Sequence, residues 1–278
     1  MLKFKIFLIS LLFNLKIIFS QEVITNANRI NPDGFGSQLQ EIVAAVIYAE
    51  LENKKFVYTP FEKMEHNYDS DPEYITKKEW LINFKDNFEI NKDNNAKMLY
   101  SRKPFLDDNI NRCANCPALK KIRQIFKANK DINNYINSEV FNIAIHIRRA
   151  YNPVDKGGVL NPNYPDDFYM KIINKLRQIY SSKNPLFHIF SQGKDEKFKS
   201  FIADDIVLHL DEPLERTFCA LVFADILVTS PSSFGYSAGL LSENIVYYAP
   251  FWHRPLPDWI STDTLFENNE KIYLTTVK

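Results

Sequence analysis

Residues 140–149 read Val-Phe-Asn-Ile-Ala-Ile-His-Ile-Arg-Arg, an apolar run of strand length that ends on two adjacent arginines. Almost continuously apolar strands that alternate with helices indicate a parallel sheet covered on both faces. The sequence therefore predicts an α/β fold with a doubly wound parallel sheet in the C-terminal half, whose ligands bind beyond the carboxyl ends of the strands. The further strand-length runs are 186–190, 206–210, 226–229 and 245–248, separated by helical stretches near 166–180, 194–202, 214–223 and 234–241.

The two arginines are the strongest functional signal. Since strand side chains alternate, His146 and Arg148 share one face, and Arg149 points to the other unless the strand ends first. Arginines that leave an apolar strand need an anionic partner, and their planar forks suit a pyrophosphate. We predict a phosphate site around this pair; the alternative is an internal ion pair with carboxylates such as Asp155 or Asp211. His146 has two interpretations as well, a hydrogen-bonded buried histidine or a catalytic group.

A second candidate element is the turn Thr229-Ser-Pro-Ser-Ser-Phe-Gly-Tyr-Ser237, which follows a predicted strand and opens a helix. Hydroxyl groups and backbone N–H groups at a helix N-terminus form a phosphate cradle, and the helix dipole favours the negative charge. The plainer interpretation is N-capping by Ser232 or Ser233. The same turn can serve both purposes.

The N-terminal half carries one clear strand–loop–helix signal. A strand near 24–30 leads through a loop containing Gly34 and Gly36 into a helix over 37–53, and a strand over 56–59 follows. A dinucleotide fingerprint needs a third glycine where Leu39 stands, so a nicotinamide cofactor site is disfavoured. We expect this loop to face the phosphates across a cleft between two α/β halves.

The first twenty residues have the layout of a secretory signal peptide: two lysines, an apolar run and a small residue, Ser20, at the end. A retained membrane anchor is the weaker alternative, because Lys16 is costly at bilayer depth. We therefore expect a protein of the secretory pathway that contacts membrane only if this segment is retained. The predicted domains are an N-terminal α/β domain over 21–138 and a C-terminal Rossmann-like domain over 139–278, which contains the predicted phosphate site.

Charge and cysteine content limit other functions. The chain has 34 basic and 34 acidic residues, so no global charge favours nucleic acid. The triplet Asp69-Ser-Asp71 lies in a polar stretch with no buried strand before it, and we expect no required metal. Cys113 and Cys116 are spaced for a short structural disulfide in an oxidising lumen. Cys219 is expected to be a small buried residue.

Four motifs in this order resemble those of the α1,2/α1,6/O-fucosyltransferase superfamily, and most closely the α1,2-fucosyltransferases. The resemblance implies a GT-B-like fold of two Rossmann-like domains. It also implies inverting, metal-independent transfer of fucose from GDP-fucose to a glycan acceptor, with no cofactor besides the donor. The motifs are Gly34-Phe-Gly-Ser-Gln38, His146-Ile-Arg-Arg149, Phe190-Ser191 and Ser230-Pro-Ser-Ser-Phe-Gly-Tyr236.

The resemblance also implies roles for individual residues. Arg148 would grip the β-phosphate and stabilise the leaving GDP, and Arg149 would support it. The donor site would further be lined by Ser232, Ser233 and Phe234 and closed by a loop containing Gly34, Gly36 and Gln38.

The chain departs from the family pattern directly after the arginine pair. The family continues Arg-Arg-Gly-Asp-Tyr, whereas this chain reads Arg149-Ala150-Tyr151. Asp155 and His146 are the remaining candidates for the general base. A non-catalytic secreted protein that binds glycans or nucleotides is the alternative function.

Overall fold

The structure is a computed structural model that describes residues 22–26, 33–67, 69–92, 96–98, 102–149 and 164–266. The predicted leader and Asp155 lie outside the described residues. None of the helices within the described ranges is long and apolar enough to cross a membrane.

The N-terminal half is built on a small parallel sheet with strand order β2-β1-β3. The first helix confirms the predicted strand–loop–helix unit, and most of its apolar residues are buried. The helices that follow β2 were not predicted, because the polar middle of the chain shows weak periodicity. The elements are β1 Val23–Thr25, α1 Phe35–Leu51, β2 Lys55–Val57, α2 Tyr74–Ile82, β3 Lys97–Met98, α3 Arg102–Asp108, α4 Ile110–Ala114 and α5 Pro117–Lys127.

The C-terminal half is built on a larger sheet with strand order β6-β5-β4-β7-β8-β9, in which every pairing is parallel. This topology confirms the α/β class and the doubly wound sheet. The stretch near 194–202 is a 3-10 helix, Asp195–Phe201, rather than an α-helix. The elements are β4 Asn142–His146, α6 Asp166–Ile179, β5 Leu186–Ser191, β6 Ile206–Leu210, α7 Leu214–Phe223, β7 Ile226–Val228, α8 Ser233–Leu241, β8 Ile245–Tyr248 and β9 Ile260–Ser261.

The large sheet carries an apolar cluster on each face. Ile143, Ile145 and Phe187 pack with α6 on one face. Ala144 and Phe190 belong to the other cluster, which includes residues of α7 and α8 and also apolar residues of α1 and α5. The two halves therefore share one continuous core where α1 lies against α8. The domain boundary after residue 138 stays a prediction.

The disulfide predicted between Cys113 and Cys116 is wrong, because both are free thiols in the structure. Cys113 lies in α4 and Cys116 caps α5, and both side chains are buried in the shared core. Burial raises the pKa of the Cys113 thiol to about 11, so the residue acts as a small uncharged group in the core. Cys219 is fully buried, as predicted.

Candidate functional site

The carboxyl ends of β4, β5 and β6 are joined by hydrogen bonds that fix the loops after them. The backbone N–H of Ile147 donates to the Phe190 carbonyl at 2.9 Å, and Ser191 Oγ donates back to the Ile147 carbonyl at 2.8 Å. The Asp211 N–H then donates to the Ser191 carbonyl at 3.1 Å. Any group carried by these loops is therefore presented from a rigid edge of the sheet.

Arg148 lies at this edge, partly buried, and two contacts of its guanidinium are to oxygen atoms of uncharged groups. Its Nη1 donates to Gln192 Oε1 at 3.3 Å and to the carbonyl of Arg149 at 3.0 Å. Gln192 follows β5 directly, so the end of the neighbouring strand orients the guanidinium. A cation held in place by an amide and a carbonyl group keeps its positive charge.

Arg149 points to the opposite face of the sheet, as the strand alternation predicts. It forms an ion pair with Asp166, the first residue of α6, and its guanidinium lies 5.6 Å from the ring centroid of Phe198. The internal ion pair considered for this arginine is therefore present, with Asp166 as the partner. Its role at the donor stays a prediction.

Asp211 instead anchors a loop. Its carboxylate accepts from the backbone N–H of Gly193 at 3.2 and 3.3 Å. Gly193 has a φ of 127°, a conformation that side chains other than glycine rarely adopt. This contact fixes the loop that also carries Gln192, and hence the position of Arg148.

His146 is buried against the turn that precedes α8. Its Nδ1 is 2.9 Å from Ser230 Oγ, and its ring centroid is 5.3 Å from that of Phe234. Burial, and then the positive charge of Arg148, lower the pKa of His146 to about 3. The ring is therefore neutral near pH 7 and weakly basic. The geometry favours the interpretation of a hydrogen-bonded buried histidine that holds the turn.

The turn after β7 is capped in the predicted way. Ser232 is the N-cap of α8, and its Oγ accepts from the Phe234 N–H at 3.2 Å. Ser233 begins the helix and is partly exposed. The Ser232 N–H donates to the Ser230 carbonyl at 2.7 Å, so the backbone donors of Ser232 and Phe234 both have partners within the turn.

The loop Gly34–Gln38 stands at the N-terminus of α1, against the first turn of α8. A Cβ atom on Gly36 would lie 2.5 Å from the backbone N and Cα of Phe234, so this glycine permits close contact between the two helices. Gln38 Nε2 donates to the carbonyls of Asp33 at 2.7 Å and Lys63 at 2.9 Å. Gly36 therefore builds the contact between the halves, whereas these contacts of Gln38 lie within the N-terminal half; their part in closing over a donor stays a prediction.

Gly34 has a different neighbour. A Cβ atom on this residue would lie 2.7 Å from the ring of His66, which comes from the loop after β2. The Gly34 N–H donates to Asp33 Oδ1 at 2.8 Å, and Ser37 Oγ donates to Asp33 Oδ2 at 2.5 Å. The Asp33 carboxylate thus accepts hydrogen bonds from two donors at the start of α1.

Sequence reasoning missed Gln192, Ser230 and Asp166 as partners of the predicted site residues. Gln192 could have been found, because it directly follows the Phe190-Ser191 motif at a strand end. Asp166 gave no comparable signal: it pairs with Arg149 across the span between β4 and α6.

The Asp69-Ser-Asp71 triplet lies in a loop, as predicted. Asp71 accepts from the Glu73 N–H at 2.9 Å and pairs with Lys77 at 2.8 Å, and this pairing lowers the pKa of its carboxyl. In the part of the chain that the structure describes, no three His, Cys, Asp or Glu side chains are grouped to hold a metal ion.

Comparison with known proteins finds similarity among solved structures. No protein-family model matches the chain, and no curated protein matches its sequence. The fucosyltransferase NodZ from Bradyrhizobium is 13% identical, with 84% of this chain and 96% of that chain covered at a TM-score of 0.42. POFUT1 in complex with GDP-fucose is 10% identical, with 83% of this chain and 99% of that chain covered at a TM-score of 0.43. A UDP-GlcNAc 2-epimerase from Methanocaldococcus jannaschii is 10% identical, with 81% of this chain and 59% of that chain covered at a TM-score of 0.32. Similarity this distant assigns no activity to the chain.

Proposed function

We propose that this protein is an inverting glycosyltransferase that transfers fucose from GDP-fucose to a glycan acceptor without a required metal. The observation that supports it most is the position of Arg148. This guanidinium lies at the carboxyl end of a buried parallel strand and is oriented by Gln192, and His146 of the same strand contacts Ser230 in the turn before α8. Ligands of doubly wound sheets bind at such an edge. The fucose moiety comes from the motif resemblance.

Negative charge builds on the diphosphate as the glycosidic bond breaks. In the proposal, Arg148 binds the β-phosphate, and Ser232, Ser233 and Phe234 line the same site. Fixed donors and cations of this kind lower the barrier because they need no reorganisation when the charge appears. The dipole of α8 acts in the same direction.

His146 and Arg149 act indirectly in this mechanism. His146 positions the turn through Ser230, and its low pKa makes it a poor proton acceptor near pH 7. Arg149 supports the strand end through Asp166. Asp155 then remains the candidate general base that activates the acceptor hydroxyl group.

The remaining parts of the proposal rest on sequence patterns. The N-terminal leader supports a place in the secretory pathway, and the motif resemblance supports a glycan acceptor on the side of residues 21–138.

The test is binding and turnover with the purified protein. We expect GDP to bind in a calorimetric titration and GDP-fucose to be consumed in the presence of glycan acceptors. Arg148→Gln should weaken GDP binding about tenfold or more, because a charged hydrogen-bonding partner is worth roughly 1.5–3 kcal/mol. No binding of GDP or GDP-fucose to the folded protein would refute the proposal.

A non-catalytic protein that binds nucleotides or glycans is the second candidate. The observation in its favour is the sequence Arg149-Ala150-Tyr151, in which the family's Gly-Asp is absent. Release of GDP from GDP-fucose separates the two candidates: binding without release, with or without acceptors, would favour the second.

A further inference from the structure

A chain of polar side chains crosses the outer part of the large sheet, away from Arg148. Asn142 Oδ1 is 3.0 Å from His188 Nε2, and His188 Nδ1 is 2.9 Å from His209 Nε2. His209 Nδ1 is in turn 2.8 Å from Glu212 Oε1. These residues come from β4, β5, β6 and the turn after β6, so the chain links three neighbouring strands to the start of α7.

The orientation of the Asn142 amide is fixed by its other contacts. Its Nδ2 donates to the carbonyls of Asn137 at 2.7 Å and Val140 at 2.6 Å, which uses both of its hydrogens. Its Oδ1 can therefore only accept, and His188 Nε2 must carry a hydrogen. The Asn142 end of this hydrogen-bonded series is thus an acceptor, whichever tautomers the two histidines adopt.

The number of hydrogens follows from the two ends. The chain ends on an amide oxygen at Asn142 and a carboxylate at Glu212, and the three contacts between them each need one hydrogen. Two neutral imidazole rings supply only one N–H each. One additional proton is required for all three contacts to be hydrogen bonds.

The surroundings favour His209 as the site of this proton. Glu212 Oε2 is 2.9 Å from Arg216 Nε, so the carboxylate faces a guanidinium on one side and His209 on the other. Burial, and then the charge of His209, lower the pKa of His188 to about 4, so that ring stays neutral. His209 lies between a carboxylate and the lone pair of a neutral ring, where an imidazolium satisfies both neighbours.

We propose that His188, His209 and Glu212 form a proton-dependent latch, in which His209 is an imidazolium donating to both neighbours. When the proton leaves, either His209 Nδ1 faces the carboxylate with a lone pair or the two rings face each other with lone pairs. Both arrangements are repulsive at 2.8–2.9 Å. Deprotonation therefore releases the turn at Glu212, whose neighbour Asp211 fixes the Gly193 loop.

The proton has a route to solvent. A cavity of about 310 Å³ is lined by both imidazole rings, Arg216 and residues 133–137. The other charged groups near the chain are Glu215, which pairs with Lys78, and Asp225, which accepts from the Asn142 N–H at 2.7 Å. Residues 133–137 contribute no charged side chain.

The sign of the pH dependence follows from proton linkage. The unfolded chain releases its histidine protons around pH 6.5. A folded state that keeps one proton above that pH loses stability as the pH rises through the range where the proton leaves. Loss of the latch proton therefore lowers the stability of the folded state.

The experiment is nitrogen-15 NMR of the histidine side chains in the full chain. At pH 7.5, where a free histidine is largely neutral, we expect both nitrogens of His209 to carry hydrogen and His188 to carry hydrogen on Nε2 alone. Both rings should change together as the pH is raised. A His209 ring with a single hydrogen at pH 7.5 overturns the proposal.

Glu212→Gln is the matched variant, because the glutamine amide can itself donate to His209 Nδ1. All three contacts are then satisfied with neutral rings and the fold is kept. We expect His209 to carry one hydrogen at pH 7.5 in this variant, and the loss of stability between pH 7.5 and 9 to become smaller than in the wild type. Glu196→Gln, which removes an exposed carboxylate elsewhere, should behave as the wild type. A doubly protonated His209 in Glu212→Gln, or an unchanged loss of stability, contradicts the latch.

Discussion

The two faces of β4 differ in what they carry. Ala144, His146 and Arg148 look towards α8 and the N-terminal half, and this face ends in hydrogen bonds to Ser230 and Gln192. Ile143, Ile145 and Arg149 look towards α6, and this face ends in an ion pair with Asp166. Adjacent arginines thus differ in their surroundings: Arg149 pairs with a carboxylate, and Arg148 contacts Gln192 at the proposed phosphate site.

The contact between α1 and α8 covers the first face, and Gly36→Ala should disturb it most. The added Cβ meets the backbone of Phe234 at 2.5 Å, where no side chain can rotate away. We expect the free energy of unfolding to fall by an amount near the upper end of the about 1–3 kcal/mol seen on overpacking. Urea denaturation measures it.

Gly34→Ala is the matched control, since its Cβ meets only the movable ring of His66 at 2.7 Å. Its loss of stability should be clearly smaller. Equal losses for the two variants would show that the helices can separate without cost.

Acid should destabilise the first face through His146. Its folded pKa is lowered to about 3, whereas the unfolded value is about 6.5. Below pH 6.5 the unfolded chain therefore binds a proton that the folded chain does not, and stability falls by about 1.4 kcal/mol per pH unit, or about 2 kcal/mol by pH 5.

His146→Asn removes this contribution and keeps a polar group near Ser230. Unfolding curves at pH 7 and pH 5 should show a smaller difference for the variant than for the wild type. His188, whose pKa is also lowered, contributes to both proteins alike. An identical difference in the two proteins would mean that His146 takes up its proton without cost.

The sequence predicted the large sheet well, because each strand is an apolar run and each strand-to-helix loop has a turn signal. The strand over 206–210 and the helix over 214–223 have the predicted bounds. It also predicted which face of β4 each arginine takes, since that follows from strand periodicity alone.

Contacts between residues far apart in the chain could not be predicted. Gly36 lies in a glycine-containing segment that resembles a phosphate-binding loop. Its neighbour Phe234 comes from the other half of the chain, however, and the glycine is needed for the close packing of the two helices. Likewise, Cys113 and Cys116 have disulfide spacing, but the core that surrounds them forms only on folding. Strand periodicity places Arg149 on a face but does not indicate which carboxylate it meets there.

Ser232→Ala should have a moderate effect at the N-terminus of α8. The serine hydroxyl accepts from the Phe234 N–H at 3.2 Å, and loss of such a cap costs about 1 kcal/mol. Thermal or urea unfolding measures this loss. Ser233→Ala, one residue later, removes no cap and should change stability less; the reverse order would contradict the assignment of the cap.

Asp166→Asn should have the smallest effect and sharpens the comparison of the two faces. Both partners of the Arg149–Asp166 pair are about 30% exposed, so its loss should cost less than about 1 kcal/mol. GDP affinity in a calorimetric titration should be unchanged. A marked loss of affinity in a folded variant would place the second face in the donor site.

The most direct test of the central claim is the GDP affinity of Arg148→Gln beside that of Arg149→Gln, by calorimetry on folded protein. Each variant removes one positive charge from the same strand end, so long-range charge effects are alike. We expect Arg148→Gln to weaken binding about tenfold or more, or at least ~1.4 kcal/mol, and Arg149→Gln to weaken it several times less. An equal or larger loss in Arg149→Gln would contradict the assignment of the phosphate site to the face of Arg148.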